Sequence, residues 1–258
     1  STRNQTATAP LVPGRLGVSI CWMVCVVPLL FGFFIPVVVL ISMVATNDFI
    51  ADFLAIRQII GNTLIMAAVA AIVIMVLSSF IVVTATFRSG PKIRKLALFA
   101  STGYALPGTI VAIGVLTFIG QLDWAISAFF GMQSQGVLVT SIIMLFFAYI
   151  VRFQAVGYGA MVSGVKRLPS NMMNASRVLG RGYMESIRRV ISPLLQSSFL
   201  AGMMLVFVDV MKELPMTLLL RPFNFDTLAT YTYQFAKDEM LEVAALPALM
   251  IVLSGLLP

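Results

Sequence analysis

Asp209, Lys212 and Glu213 are the residues whose types and spacing come nearest to chemistry, and they close a charge-free apolar run from Val190 to Val208. On a helix Asp209 and Glu213 are four apart and share a face, while Lys212, three beyond Asp209, partly neutralises it. Carboxylates are the donors that a hard cation accepts. Ionisable groups within a bilayer are costly and face a bundle interior or water. With a helix start near Leu194, a rise of 1.5 Å per residue carries the chain about 22 Å to Asp209 and about 28 Å to Glu213. Asp209 then falls in the outer third of a bilayer and Glu213 near its outer boundary. Two readings stand: a charge cluster that fixes helix packing or an external gate, or a transient relay for a passing ion. Neither is a tight metal site. The absence of histidine removes a Ser-His dyad and His-ligated zinc. An aspartyl pair of Asp209 with Asp123 is set aside because Asp123 reads as part of an outer loop. No catalytic residue is expected.

The elements that must position these residues are membrane helices. The 258-residue chain is 60% hydrophobic and 10% charged, with a mean hydropathy of +1.01, outside the range of a soluble domain. Its charge-free runs are Leu16 to Asn47, Gln58 to Phe87, Leu96 to Leu122, Trp124 to Val151, Val190 to Val208 and Val243 to Pro258. A helix needs roughly 20 apolar residues to span a hydrocarbon core. The first four runs are long enough, the fifth just so, and the last is short. The runs are continuously apolar, unlike the alternating strands of a membrane barrel. An all-α membrane protein of about six transmembrane helices follows, with residues 1–17 as a cytoplasmic N-terminal segment and 18–258 as one transmembrane domain. Cys21 and Cys25, four apart on one apolar helix, read as small hydrophobic filler.

The net charge of +7 is placed by topology. Arg3 and Arg15, then Arg88, Lys92, Arg94 and Lys95, then Lys166, Arg167, Arg177, Arg181, Arg188 and Arg189 mark alternate loops, and the loops between them are acidic or mixed. The positive-inside rule then places both termini in the cytoplasm. Membrane lipid is the expected surroundings. Nucleic acid is not an expected partner, because no aromatics interleave the basic residues. Arg152, ending the fourth run, reads as a snorkelling anchor at the cytoplasmic interface.

The basic loop 166–193 has structure of its own. Pro169-Ser170 suits a helix start, with Ser170 as cap. Helical spacing sets Met172, Ala175 and Leu179 on one side and Asn174, Arg177 and Arg181 on the other. Gly180 and Gly182 turn the chain, and Pro193 suits the first turn of the next membrane helix. The pattern Asn174-Ala175-Ser176, three residues, Gly180, nine residues, Val190-Ile191-Ser192-Pro193 resembles the EAA loop of ABC importer permeases at every spacing. Asn174 stands where the family usually has Glu, and Ser192 where it usually has Leu. Asn can still hydrogen-bond there but forms no salt bridge. The resemblance implies a coupling helix docked on a cytoplasmic ATPase dimer, with ATP and Mg bound in that partner. No Walker A loop occurs in this chain.

A second resemblance is narrower. Val206-Phe207-Val208-Asp209-Val210-Met211-Lys212-Glu213-Leu214-Pro215, the stretch Thr217 to Ala229, the closing segment from Ala244-Ala245-Leu246-Pro247-Ala248, and Pro107-Gly108-Thr109 are similar to the ferric-iron ABC permease family. That likeness implies a bacterial inner-membrane, multi-pass subunit of an ATP-driven importer, not itself an enzyme. It also implies a periplasmic or lipid-tethered binding protein that delivers Fe³⁺ to the loop Pro215 to Tyr233, where Arg221, Asn224 and Asp226 are the candidate contacts. Family members usually fuse two such halves. The single coupling loop makes this chain resemble a C-terminal half, paired with a second half or subunit. Within the class, thiamine, polyamine or sulfate are alternative cargoes. A secondary transporter is the alternative outside it.

Overall fold

The computed structural model describes residues 14–46, 49–87, 91–130, 136, 138–169 and 171–256. Ser170, with the cap assigned to it, and Arg3, Asp48 and Arg88 lie outside the described residues. Among the described residues there is no strand, and the fold is that of an all-α membrane protein. In chain order the helices are α1 (Arg15–Thr46), α2 (Phe49–Phe87), α3 (Pro91–Ala100), α4 (Gly108–Phe130) and α5 (Ile142–Lys166). There follow α6 (Met172–Val178), α7 (Tyr183–Met211), α8 (Pro215–Leu220), α9 (Leu228–Lys237) and α10 (Leu241–Gly255). Among the described residues five, namely α1, α2, α4, α5 and α7, carry a stretch long and apolar enough to cross a membrane, and α10 is shorter.

Helices α2, α5 and α7 pack on one another and form the core. Ile74 and Met75 of α2, Leu145, Phe153 and Met161 of α5, and Leu195 and Val206 of α7 are buried there. In lipid, helices gain no hydrophobic drive from meeting each other, so close van der Waals packing over small residues does the work. A Cβ on Gly157 would stand 2.5 Å from Ser78 Oγ, and one on Gly202 would stand 2.7 Å from Ala160 Cβ. Gln154 donates through Nε2 to Ser78 Oγ at 2.8 Å, tying α5 to α2. Helix α1 has no buried residue; its second half packs on α10. Cys21 and Cys25, expected as filler, are exposed on it.

Three boundaries differ from those the charge-free runs suggest. The third run breaks between Ala100 and Gly108, around a 3-10 turn at Gly103–Ala105. The fourth is not one span: α4 continues past Trp124 to Phe130, and α5 begins at Ile142. Single charges ended the runs in the sequence, but both Asp123 and Arg152 lie inside helices. Asp123, expected in an outer loop, is a buried residue of α4. The fifth span starts at Tyr183, well before Leu194.

Pro193 therefore sits inside a helix already under way. A π-turn at Ile187–Ile191 precedes it, and a second, Leu30–Phe34, stands in the same position before Pro36 in α1. Proline removes one N–H and its ring clashes with the carbonyl four residues back. The wider π-turn opens the helix there and lets it continue.

Candidate functional site

The side chains of Arg152 and Glu213 meet where two helix breaks face α5. Helix α7 ends at Met211, and Lys212 leaves helical geometry at φ −90° and ψ 1°. Pro215 then starts α8, whose first turn needs no proline N–H. The break turns Glu213 off the face it would have shared with Asp209. Glu213 is buried, 7% exposed, with Oε1 3.8 Å from Arg152 Nη1, and it accepts the Met216 N–H at 3.1 Å. Arg152 is ten residues beyond Ile142 and fourteen before Lys166, about 15 Å from one end of α5 and about 21 Å from the other. It thus stands within the body of α5 and not at the helix end where an interfacial anchor was expected, and Glu213 lies beside it.

The rest of the junction is polar but tightly held. Thr217 Oγ1 donates to the Glu213 carbonyl at 2.8 Å, so in its 2.6 Å bond with Tyr149 the phenol is the donor. The Arg152 guanidinium lies 5.9 Å from the Tyr104 ring and 5.8 Å from the Phe153 ring, within cation–π range. Gly108, the first residue of α4, leaves room for it: a Cβ there would be 2.0 Å from Nη1. Asp209 and Lys212 pair at 2.8 Å, as their spacing requires, with Lys212 reaching outward. Sequence reasoning brought Asp209, Lys212 and Glu213 together. It read Arg152 as an anchor and missed its pairing with Glu213 and that of Tyr149 with Thr217, because these partners are distant in the chain. The dipeptide Pro107-Gly108 was the one signal available. Among the described residues no group of three or more Cys, Asp or Glu gathers as a metal would require.

At the other end of α7, the loop around α6 has the predicted parts in a different arrangement. Met173 and Ser176 are buried, Met172 is half-buried, and Asn174 and Ala175 are exposed. Ser176 is thus an inward staple: Ser186 Oγ donates to the Gly182 carbonyl at 2.9 Å, and the 2.7 Å Ser176–Ser186 bond joins α6 to α7. Gly180 has φ +79°, a left-handed turn that a β-carbon would strain. Gly182 precedes the first turn of α7. Val178 and Leu179 are 87% and 79% exposed, three and four residues beyond the exposed Ala175, so the three form an uncovered apolar ridge. Val190 is half-buried beside the buried Ile191, and Pro193 is exposed. Glu185 and Arg189 pair at 3.2 Å one turn apart.

The loop between α8 and α9, expected on the outer side, is braced from within. Arg221 and Asp226 form an ion pair, and Asn62 of α2 donates to the Asp226 carbonyl at 3.4 Å. Thr227 caps α9 with a reciprocal bond to Thr230, and the Leu228 N–H donates to Thr63 Oγ1 at 2.8 Å. Two of the three candidate contacts therefore direct their charges at each other. Asn224 stands at φ +59°, and next to it Phe223 is 91% exposed. These two are the accessible tip.

No family model matches the chain. It is similar to the Fe(3+)-transport system permease protein FbpB 2 of Haemophilus influenzae, 24% identical over 155 residues. The match covers 60% of this chain and 28% of that protein's length.

Proposed function

We propose that this chain is a transmembrane subunit of an ATP-driven importer in a bacterial inner membrane, with ferric iron as cargo. The observation that carries it is mechanical. A short helix bearing an uncovered apolar ridge (Ala175, Val178, Leu179) is stapled by Ser176 to a 29-residue helix that runs, through one π-turn at Ile187–Ile191, to the charged junction at Asp209, Lys212 and Glu213. A cytoplasmic ATPase dimer, holding ATP and Mg, grips the ridge, and its closure moves α7 as a rigid body. The distant likeness to an Fe(3+) permease supports both the class and the cargo. Basic residues around the α6 loop support a cytoplasmic placement, and with it cytoplasmic termini.

A binding protein delivers Fe³⁺ at the outer loop, where Phe223 and Asn224 stand clear and Arg221 and Asp226 hold the turn. A second permease half completes the pathway. A cleft of 650 Å³ between α2, α5 and α7, lined in part by Ser79, Thr84, Ser192 and Gln196, supports that pairing, since polar groups within lipid face water or protein. ATP binding shifts the population between outward-open and inward-open states. Asp209 and Glu213 either shape the gate or touch the ion in passing.

The test is ATPase activity of the reconstituted complex. It rises with an iron-loaded binding protein and not with the same protein empty or with binding proteins loaded with thiamine, polyamine or sulfate. A response to another cargo overturns iron; no response to any, with no ATPase captured through residues 169–193, overturns the importer. Asp209→Asn with Glu213→Gln abolishes uptake in an assembled complex if those groups touch the ion, and normal uptake removes the relay. One observation favours a secondary transporter, namely the two helix breaks that face the body of α5. Iron uptake driven by an ion gradient in vesicles without ATPase would establish it.

A further inference from the structure

We propose that Arg152 is the latch of a hinged leaf formed by α4 and α8, and that its pairing with Glu213 holds the membrane gate closed. The leaf is defined by contacts. Helix α8 packs most extensively on α4, and both rest against α5, which belongs to the core with α2 and α7. Both members of the leaf begin at breaks, Ser101–Pro107 before α4 and Lys212–Leu214 before α8. Both breaks lie against Arg152: Gly108 at the start of α4 abuts its guanidinium, and Glu213 immediately before α8 faces it. The two members of the leaf thus start at separate breaks that share one catch.

The geometry of the catch suits separation. A pair built for permanent cross-linking is bidentate and fully hydrogen-bonded. Here the charges are 3.8 Å apart, close enough to attract and too far for a hydrogen bond. Arg152 Nε and Nη1 are buried with no hydrogen-bond partner, and the carboxylate is already engaged by the Met216 N–H. Among the described residues, the charge of Glu213 and the ring faces of Tyr104 and Phe153 are what hold the guanidinium. A second, neutral tie, Tyr149 to Thr217, spans the same seam. Arg152 acts through Glu213 and is a positioning residue.

The inference rests on the gate assignment above but needs neither motor nor cargo, and neither does its test. Met216 is fully buried in α8 beneath the catch. The full chain carrying Cys21→Ser, Cys25→Ser and Met216→Cys is reconstituted in lipid nanodiscs and treated with a water-soluble maleimide. Labelling is slow in this background and rises about tenfold with Arg152→Ala, as expected when a minor open state gains population. Gly108→Ala, which keeps both charges but displaces the guanidinium, gives the same rise. Arg152→Lys stays near the background rate, because the pair is not bidentate. Adding Glu213→Ala to Arg152→Ala gives no further rise, the signature of a shared interaction. Unchanged labelling with Arg152→Ala and Gly108→Ala in protein that still assembles into nanodiscs as a folded chain overturns the latch, as does additivity in the double variant. Should Arg152→Ala not assemble, Gly108→Ala against Arg152→Lys decides: fast against slow supports it, equal rates overturn it. Faster labelling alongside a failed ATPase experiment would keep the latch and remove the importer.

Discussion

The α6 loop and the Arg152 junction are both joints at an end of α7, and they are made of opposite materials. The loop joins two helices through neutral hydroxyls and leaves its apolar residues bare. The junction buries charges and excludes even a methyl group at Gly108. Uncovered apolar groups in water invite a partner, and buried charges in lipid resist being parted from theirs. The first joint is suited to being held from outside, the second to having two internal states.

Substitutions separate the two, beginning with the largest effect. Arg152→Ala leaves Glu213 buried without its counter-charge and costs about 3–5 kcal/mol, read as lost thermal stability in detergent. Replacing the pair together, Arg152→Met with Glu213→Gln, recovers most of it, because Gln still accepts the Met216 N–H and no charge is stranded. A double variant as unstable as the single would show that the junction depends on something other than charge. Gly108→Ala comes next, at about 1–3 kcal/mol for overpacking, by the same measurement. Ser176→Ala removes one hydroxyl bond while Ser186 keeps its carbonyl acceptor, and costs about 1 kcal/mol; a loss as large as at Arg152 would abolish the contrast between the joints. Lys212→Gln breaks a pair whose lysine is mostly exposed and costs under about 1 kcal/mol. Val178→Ser with Leu179→Ser changes folding least, within about 0.5 kcal/mol. If the ridge is the motor's grip, that variant nonetheless fails to co-purify with the ATPase.

The two joints were also unequally legible in the sequence. Residue spacing located the α6 loop because its parts are local: Asn174 to Gly180 is a single short helix and its turn, and Gly180 sits at the left-handed position that glycine there suggests. Which side of α6 faces inward was not legible. Helical spacing grouped Met172 with Ala175 and Leu179, but Ser186, ten residues on, draws Ser176 inward and turns Ala175 and Leu179 out. At the junction, spacing found the Asp209–Lys212 pair. Arg152 and Glu213 eluded it because hydropathy treats a charge as a boundary. A buried counter-charge 61 residues away lets an apolar helix carry arginine within its length, and that partner is tertiary information. Asp123 misled in the same way. The long apolar spans were legible throughout, since length and continuity fix them.

The π-turn at Ile187–Ile191 gives the nine-residue spacer between Gly180 and Val190 a second meaning. A π-turn is an α-helix with one surplus residue looped into it, so the faces before and after keep their directions. A chain with one residue fewer there, and no proline at position 193, would present the same side chains at both ends of an unbroken rod. The insertion therefore changes the stiffness of α7 and leaves its register alone. It places the widened turn of the rod just beyond the α6 loop, two residues before Pro193.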